Sequence, residues 1–183
     1  MNCDEKEILR YLGVKTPDPD LSERIQEAIG VTSTLFPLCT HAVFDVEEQD
    51  GGVFLRGTDV LLSGNLAKKH FHGCKKIIVM LATLGLKSEV VLKRVFSVSA
   101  EKGVILDATY TEALEKYLDE QEAKLQETYG ELTSRISCGY GDLPLRTQRP
   151  LFDLLDGGRL GVKLNECFML TPNKSVIALV GVR

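Results

Sequence analysis

The sequence predicts an α+β fold, in which a mixed or antiparallel sheet packs with several helices in a single domain. Helical and strand patterns mix along the 183 residues without strict βαβ alternation. The apolar run from Lys76 to Leu81 (KIIVML) has the length and composition of a buried strand. A helical pattern over about 104–128 predicts one long helix. No internal repeat or low-complexity tract suggests a different architecture.

The first part of the chain is predicted to be helical. From Asp4 to Leu12 the apolar residues recur at helical spacing, and Gly13 follows where helices often end. The Pro17-Asp18-Pro19 stretch is a break, after which Leu21 to Ile29 continues a helical pattern. These helices define an N-terminal flank, residues 1–30, before a domain over residues 31–183.

The middle of the chain alternates strand and helix patterns. A strand is predicted from Leu38 to Glu47, and the turn at Asp50-Gly51-Gly52 leads into a second strand at 53–55. A short helix is predicted between Leu61 and His72. After the buried strand, Thr83-Leu84-Gly85 turns the chain into a helix over about 88–100.

The C-terminal part begins with the long helix. Two pairs at i,i+4 spacing, Glu112 with Lys116 and Glu120 with Lys124, support that helix, which Gly130 ends. The following elements are a strand over 132–137, a short helix over 148–155 and two final strands over 168–170 and 175–182.

Composition and charge limit the possible function classes. The net charge of −4 argues against a nucleic-acid partner, which would require a basic surface. No apolar run approaches the ~20 residues of a membrane span, and the acidic start MNCDEKEILR is unlike a signal peptide. Five cysteines without a Cys-x-x-Cys pair indicate reduced thiols. A cytoplasmic protein with no membrane partner is therefore expected.

The segment Arg135–Tyr140 (RISCGY) is the main candidate for ligand binding. Arg135 can hold a carboxylate through two parallel hydrogen bonds. Gly139 allows the backbone to approach a ligand closely, and Tyr140 offers an aromatic face to a cation such as a sulfonium. These residue types suit an amino acid-like ligand with a positive centre. The alternative is an ordinary surface arginine and tyrosine.

Two segments resemble the reactivation domain of cobalamin-dependent methionine synthase, a family that binds S-adenosylmethionine. Arg135, Gly139 and Tyr140 match its Arg-x-x-x-Gly-Tyr run. The resemblance spans about 105–182. The second family segment is matched by Leu164, Glu166, Phe168, Pro172, Ser175 and Val176, with Cys167 in a serine position.

The resemblance implies roles for individual residues. Arg135 would bind the carboxylate of S-adenosylmethionine, with Ser137 and Gly139 providing backbone contacts. Tyr140, the catalytic candidate, would line the methyl-transfer site. Glu112 and Glu166 would complete the ligand-binding set, although Glu112 could equally be half of a surface pair with Lys116.

The implied function is reductive methylation of cob(II)alamin carried by a partner. That partner would be a methionine synthase or another corrinoid protein. The electron would come from a flavodoxin or an iron–sulfur protein, and S-adenosylmethionine would donate the methyl group. If the chain is an enzyme, it would act as a methyltransferase within methionine biosynthesis.

Several positions depart from the family and keep alternatives open. Ile136, Cys138 and Gly141 replace family prolines, and the tryptophan-free chain lacks the family's Asp-Trp segment. With the chain ending at Arg183, these departures favour a short stand-alone relative. Two alternatives are an adaptor of a corrinoid system that has lost ligand binding and a methyltransferase acting on a small molecule.

Other possible sites have weaker support. His70, His72 and Cys74 alternate along the chain, but side chains two positions apart on a helix point away from each other, so no metal site is predicted. The Thr83–Gly85 turn could present amides to an anion. Cys138 lies near Arg135, but no neighbouring base is identifiable in the sequence.

Overall fold

The computed structural model describes residues 3–183 and confirms the α+β class. The helices are α1 (Glu5–Leu12), α2 (Pro19–Thr32), α3 (Asn65–His70), α4 (Leu86–Val98), α5 (Ala100–Tyr129) and α6 (Gln148–Leu154), with short 3-10 turns at Leu145–Thr147 and Gly157–Leu160. The strands are β1 (Leu38–Gln49), β2 (Gly52–Leu55), β3 (Leu61–Ser63), β4 (Lys76–Thr83), β5 (Lys163–Leu164), β6 (Leu170–Thr171) and β7 (Ser175–Val182).

Five of the strands form one antiparallel sheet in the order β3-β2-β1-β4-β7. The buried-strand prediction for KIIVML is confirmed, because β4 lies between β1 and β7 and pairs with both along its whole length. The strands β5 and β6 form a separate antiparallel pair.

Both faces of the sheet are covered. Because successive side chains of a strand point to opposite faces, β4 and β7 contribute residues to both cores. One face packs against α1, α2, α4 and α5, and the other packs against α3, α6 and the segments around them. The helix-side cluster takes Ile78, Met80, Ala82, Ala178, Val180 and Val182 from these strands. The opposite cluster takes Ile77, Val79, Leu81, Ile177 and Leu179.

The long helix is confirmed and begins four residues earlier than the apolar pattern suggests. Ser99 lies between α4 and α5 in an extended conformation, and its hydroxyl accepts a hydrogen bond from the Lys102 amide at 3.3 Å. This N-cap separates two helices that are adjacent in sequence. At the other end α5 stops before Gly130, as expected.

The helices α1 and α2 pack on α5 and share its core. Ile8 and Ile25 are fully buried in the helix-side cluster. Asp4 and Asp18 cap the two helices, and their side chains accept hydrogen bonds from backbone amides. The division of the chain at residue 30 stays a prediction.

Two short elements differ from the sequence-based expectation. Within 61–72 the helix occupies only Asn65–His70. The strand β3 lies before it in the sequence and pairs with β2. The strand expected at 168–170 is instead Leu170–Thr171. Phe168 has φ of +61°, a left-handed conformation that no strand accommodates.

The prediction of a regular strand over 132–137 is wrong, because this segment contains a bulge. Isolated bridges pair Leu132 with Val182 and Ile136 with Leu179. Three residues lie between the bridges on this segment and two lie between them on β7. The Thr133 hydroxyl accepts a hydrogen bond from the Gly181 amide at 2.9 Å, a contact outside the regular ladder. Consequently Leu132 packs into the helix-side cluster and Ile136 into the opposite one.

Candidate functional site

The bulged segment and α5 form the walls of an open groove of about 360 Å³. We call it the acidic groove, because two glutamates of α5 line it together with Arg135. Its lining residues are Glu115, Leu118, Glu122, Ser134, Arg135, Ser137, Tyr140, Val176 and Ala178. The groove therefore brings together three of the residues that the sequence singled out, Arg135, Ser137 and Tyr140.

Arg135 is held by three carboxylates of α5. Its guanidinium donates to Asp119 at 2.7 Å, to Glu115 at 3.0 Å and to Glu122. The side chain is only 19% exposed. Burial opposes its charge, but the three carboxylates outweigh that effect and raise the pKa of Arg135. One cation facing three anions leaves this wall of the groove negative.

The carboxylates differ in their surroundings. Glu122 is the most buried of the three, with a side chain 22% exposed. Burial raises the pKa of Glu122 above its usual value, and Asp119 and Glu115 add to the increase, whereas Arg135 opposes it. Glu115 and Asp119 are about half exposed.

Tyr140 lies on a tight loop that follows the bulge. The Gly139 amide donates to the Leu143 carbonyl at 2.9 Å, and the Leu143 amide donates to the Tyr140 carbonyl at 3.0 Å. The Asp142 carboxylate accepts hydrogen bonds from the first amides of α3, and those bonds hold its pKa below the usual value. This compact loop leaves the Tyr140 side chain 60% exposed.

A second groove, of about 410 Å³, lies on the other side of Tyr140. We call it the apolar groove. It shares Ser137, Tyr140 and Val176 with the acidic groove, so the two grooves adjoin at the tyrosine. Its further lining residues are Cys138, Leu145, Gln148, Met169, Leu170, Asn173 and Ser175.

Gly139, Glu112 and Glu166 do not line either groove. The Gly139 amide already donates a hydrogen bond within its own loop. Glycine is needed at this position for the left-handed φ of +92° that the turn requires. Glu112 is buried beneath the start of α1, where it accepts a hydrogen bond from the Asp4 amide at 3.2 Å. Burial raises the pKa of Glu112. Glu166 is exposed between β5 and β6.

Sequence reasoning missed Glu115, Asp119 and Glu122. Their spacing of four and then three residues places them on one face of α5, which was the available signal. The pattern of apolar residues and i,i+4 ion pairs drew attention to Glu112 and Glu120 instead. Arg135 contacts this face of α5 because of the bulge, and the sequence does not predict the bulge.

Cys138 is a buried thiol next to the candidate site. It is 6% exposed, and burial raises its pKa to about 12. Since the thiolate is the nucleophile, Cys138 is not suited to nucleophilic catalysis.

Cys138 is therefore expected to resist alkylation in the folded protein at pH 8, whereas the exposed Cys167 reacts first. Limited iodoacetamide treatment followed by peptide mass spectrometry measures both sites. A Cys167→Ser variant serves as the control, and it should lose the fast phase. Fast modification of Cys138 in the native protein would contradict the assigned burial.

His70, His72 and the Thr83–Gly85 turn make structural contacts. A His70 ring nitrogen contacts the Ser134 carbonyl at 2.7 Å, His72 pairs with Glu48 and Cys74 lies beside Gly181. Within residues 3–183, no group of three histidine, cysteine, aspartate or glutamate side chains is placed to hold a metal ion. The Gly85 amide donates to the Thr83 hydroxyl at 3.0 Å, so the turn satisfies that donor itself.

Comparison with known proteins identifies the fold. Neither a protein-family model nor a curated protein matches the sequence. The protein is an α+β domain with an open groove between a long helix and a bulged sheet edge. A crystal structure of the MetH reactivation domain bound to AdoHcy has this fold, with a TM-score of 0.74 and 14% sequence identity. The match covers 98% of this chain and 74% of that chain. The reactivation-domain fold expected from the sequence resemblance is thus confirmed. No helix in the described part of the chain is long and apolar enough to cross a membrane.

Proposed function

We propose that this protein binds S-adenosylmethionine across the two grooves and presents its methyl group to a corrinoid carried by a partner. The observation that carries the proposal is that Arg135, Ser137 and Tyr140 line one groove in a fold shared with a domain crystallised with AdoHcy. S-adenosylmethionine differs from that ligand by one methyl group and a positive charge on sulfur.

The two grooves suit the two ends of such a ligand. The acidic groove is lined by the Arg135 guanidinium and the carboxylates of Glu115 and Glu122, so it can accept a group with both an ammonium and a carboxylate. The apolar groove, with Leu145 and Met169 at its edge, suits a flat nucleoside. Tyr140 stands where the grooves meet, and its ring face would lie against the sulfonium.

Methyl transfer from this site needs positioning more than acid–base chemistry. The methyl group leaves as a cation equivalent, the S–CH₃ electron pair stays on sulfur, and a neutral thioether remains. The partner's corrinoid, after one-electron reduction by a flavodoxin or an iron–sulfur protein, would supply the acceptor. This chain would contribute the orientation of the donor, an effect worth up to ~7–11 kcal/mol in favourable cases.

The proposal is tested by titration calorimetry with S-adenosylmethionine on the wild type and on Tyr140→Ala. Because Tyr140 is 60% exposed, its removal should leave the fold intact. Loss of a cation–π contact of about 1–2 kcal/mol should weaken binding roughly five- to thirtyfold. Tyr11→Ala, at an aromatic on α1 that is 38% exposed, is the matched control and should bind as the wild type does.

A second candidate function is that of an adaptor that docks on a corrinoid or methyltransferase protein without binding the ligand. The observation that favours it is the occupation of the Arg135 guanidinium by three carboxylates, which a ligand carboxylate would have to displace. Absence of calorimetric binding by the wild type would overturn the first proposal and favour this one. Turnover of a small acceptor without any corrinoid protein would instead indicate an independent methyltransferase.

A further inference from the structure

The outer sides of β7 and β1 in the main sheet differ in whether another segment covers them. Beyond β7, the bulged segment 132–136 pairs with the strand and covers its backbone. Beyond β1, the strand β2 pairs only with Val46–Gln49. The stretch Leu38–Asp45 pairs with β4 on one side and has no strand on the other. The part of β1 from Leu38 to Phe44 is therefore an open edge.

The direction of the backbone groups along this edge follows from two hydrogen bonds. The Val46 amide donates to the Lys75 carbonyl on the β4 side, whereas the Asp45 carbonyl accepts from the Arg56 amide on the β2 side. Since successive residues of a strand point their amides and carbonyls to alternate sides, those of Cys39, His41 and Val43 point to the open edge. They form a uniform row of donors and acceptors.

This edge lacks the features that usually prevent pairing between chains. Residues 38–44 (LCTHAVF) contain no proline and no lysine, arginine, aspartate or glutamate. Such residues, together with bulges, are how proteins block open edges. In addition Phe36 is 80% exposed and Leu38 48% exposed at the start of the edge. An open, uncharged strand of this length is a template for another strand.

We propose that a second copy of this chain covers the edge through antiparallel pairing of β1 with β1, centred on His41. His41 is the middle of the three edge-facing residues, so this register uses all three of them. Cys39 then pairs with Val43 of the other copy, and His41 pairs with its own equivalent. The uncharged stretch brings no like charges opposite each other.

The charges beyond the edge are complementary in the same register. The acidic end of β1 carries the exposed Glu47 and Glu48. At the other end the Lys87 ammonium donates to the Thr34 carbonyl at 2.7 Å. Glu47 shares the helix-side face of β1 with Val43, and Lys87 lies on α4 on that same side. Centring on His41 brings residue 47 of one copy level with residue 35 of the other, so Glu47 approaches Lys87. Pro37 and Phe36 lie outside the strand, and the same register brings β2 of the second copy, which pairs with its residues 46–49, beside the exposed Phe36.

The test is sedimentation velocity on the full chain over a range of micromolar concentrations, for the wild type, His41→Glu and His41→Lys. His41 is exposed, so neither change disturbs the core. The wild type should dimerise. Each variant places two like charges together at the two-fold axis and should weaken dimerisation by about tenfold or more. An equimolar mixture of the two variants should form the dimer again, because the charges are then opposite.

The same two charges at Gln126, an exposed position on α5, are the matched control and should leave the dimer unchanged. A wild type that stays monomeric over the whole range would overturn the proposal. So would a dimer that is insensitive to both His41 variants, since it would then use another surface. The result is independent of S-adenosylmethionine binding, so this proposal and the proposed function can fail separately.

Discussion

Replacing Arg135 with alanine is expected to lower the free energy of unfolding by about 2–3 kcal/mol at pH 7. Breaking a buried ion pair by removing one partner costs about 3–5 kcal/mol, and the partial exposure of Asp119 and Glu115 reduces that value here. The variant leaves three carboxylates of one helix face close together with no cation between them. Their mutual repulsion acts only in the folded state.

The destabilisation by Arg135→Ala should depend on pH in a defined direction. Burial already raises the pKa of Glu122 in the folded protein, and Arg135 opposes that increase. Removing Arg135 therefore raises this folded-state pKa further above the unfolded value. A carboxyl group with a raised folded-state pKa favours folding at low pH, and the contribution is lost as pH rises through the folded-state pKa. The variant should thus lose more stability than the wild type between acid and neutral pH.

Urea unfolding of both proteins at pH 4.5 and pH 7 measures this difference. Arg183→Ala is the matched control, because Arg183 forms one exposed ion pair with Glu131 at 2.8 Å, and such pairs contribute about 0–1 kcal/mol. Adding Glu122→Gln to Arg135→Ala should restore part of the stability at pH 7. An equal loss at both pH values would show that packing of the arginine side chain, rather than charge, is responsible.

The Gly181→Ala substitution is expected to lower the free energy of unfolding by about 2–3 kcal/mol. Methyl groups inserted into a packed core typically cost 1–3 kcal/mol, and this site is confined on three sides. A Cβ atom at Gly181 would lie 2.5 Å from the Cys74 sulfur, 3.0 Å from a Phe71 ring carbon and 3.1 Å from the Thr133 methyl carbon. Its backbone also exchanges hydrogen bonds with Thr133. The variant therefore pushes the bulged segment away from β7.

Thermal unfolding of Gly181→Ala and Gly158→Ala provides the measurement and its control. A Cβ atom at Gly158 would have no other atom within 4 Å, and the residue needs no positive φ. Gly158→Ala should therefore change the free energy of unfolding by no more than about 0.5 kcal/mol. Ligand titration adds a second readout, since displacement of the bulge also moves Arg135. If Gly181→Ala were as stable as the control, close contact of the bulge with β7 would not be needed for folding.

The fold was predictable where one local pattern dominates, and less so where two segments interact. The KIIVML run and the long amphipathic pattern determine β4 and α5 through burial alone, and both elements are found close to the expected positions. The strands β3 and β5 have only three and two residues, too few to show an alternating pattern, so they are defined only by pairing with β2 and β6 and were not expected. The turn conformation of Phe168 moved the next strand by two residues.

The candidate site was predictable as a set of residue types but not as a geometry. The residues of the RISCGY segment that the sequence indicated, Arg135, Ser137 and Tyr140, do line one groove. The α5 carboxylates that contact Arg135 come from 13 to 20 residues upstream, and the contact depends on how the bulged segment crosses the helix. Sequence spacing within the segment carries no information on that crossing. The roles of these residues in ligand binding stay predictions.

The bulge between Leu132 and Ile136 has a consequence for insertions and deletions. Because three residues on this segment lie opposite two on β7, Leu132 and Ile136 are four positions apart and still face different cores. Removing one of the three would leave two residues opposite two, a regular ladder in which Leu132 and Ile136 keep their partners and their cores. A single deletion at Ser134, an exposed residue, would thus remove the bulge without reversing the faces of the flanking residues. An alignment of another sequence with this one can therefore place a one-residue gap between Leu132 and Ile136 without disturbing the pairing with β7.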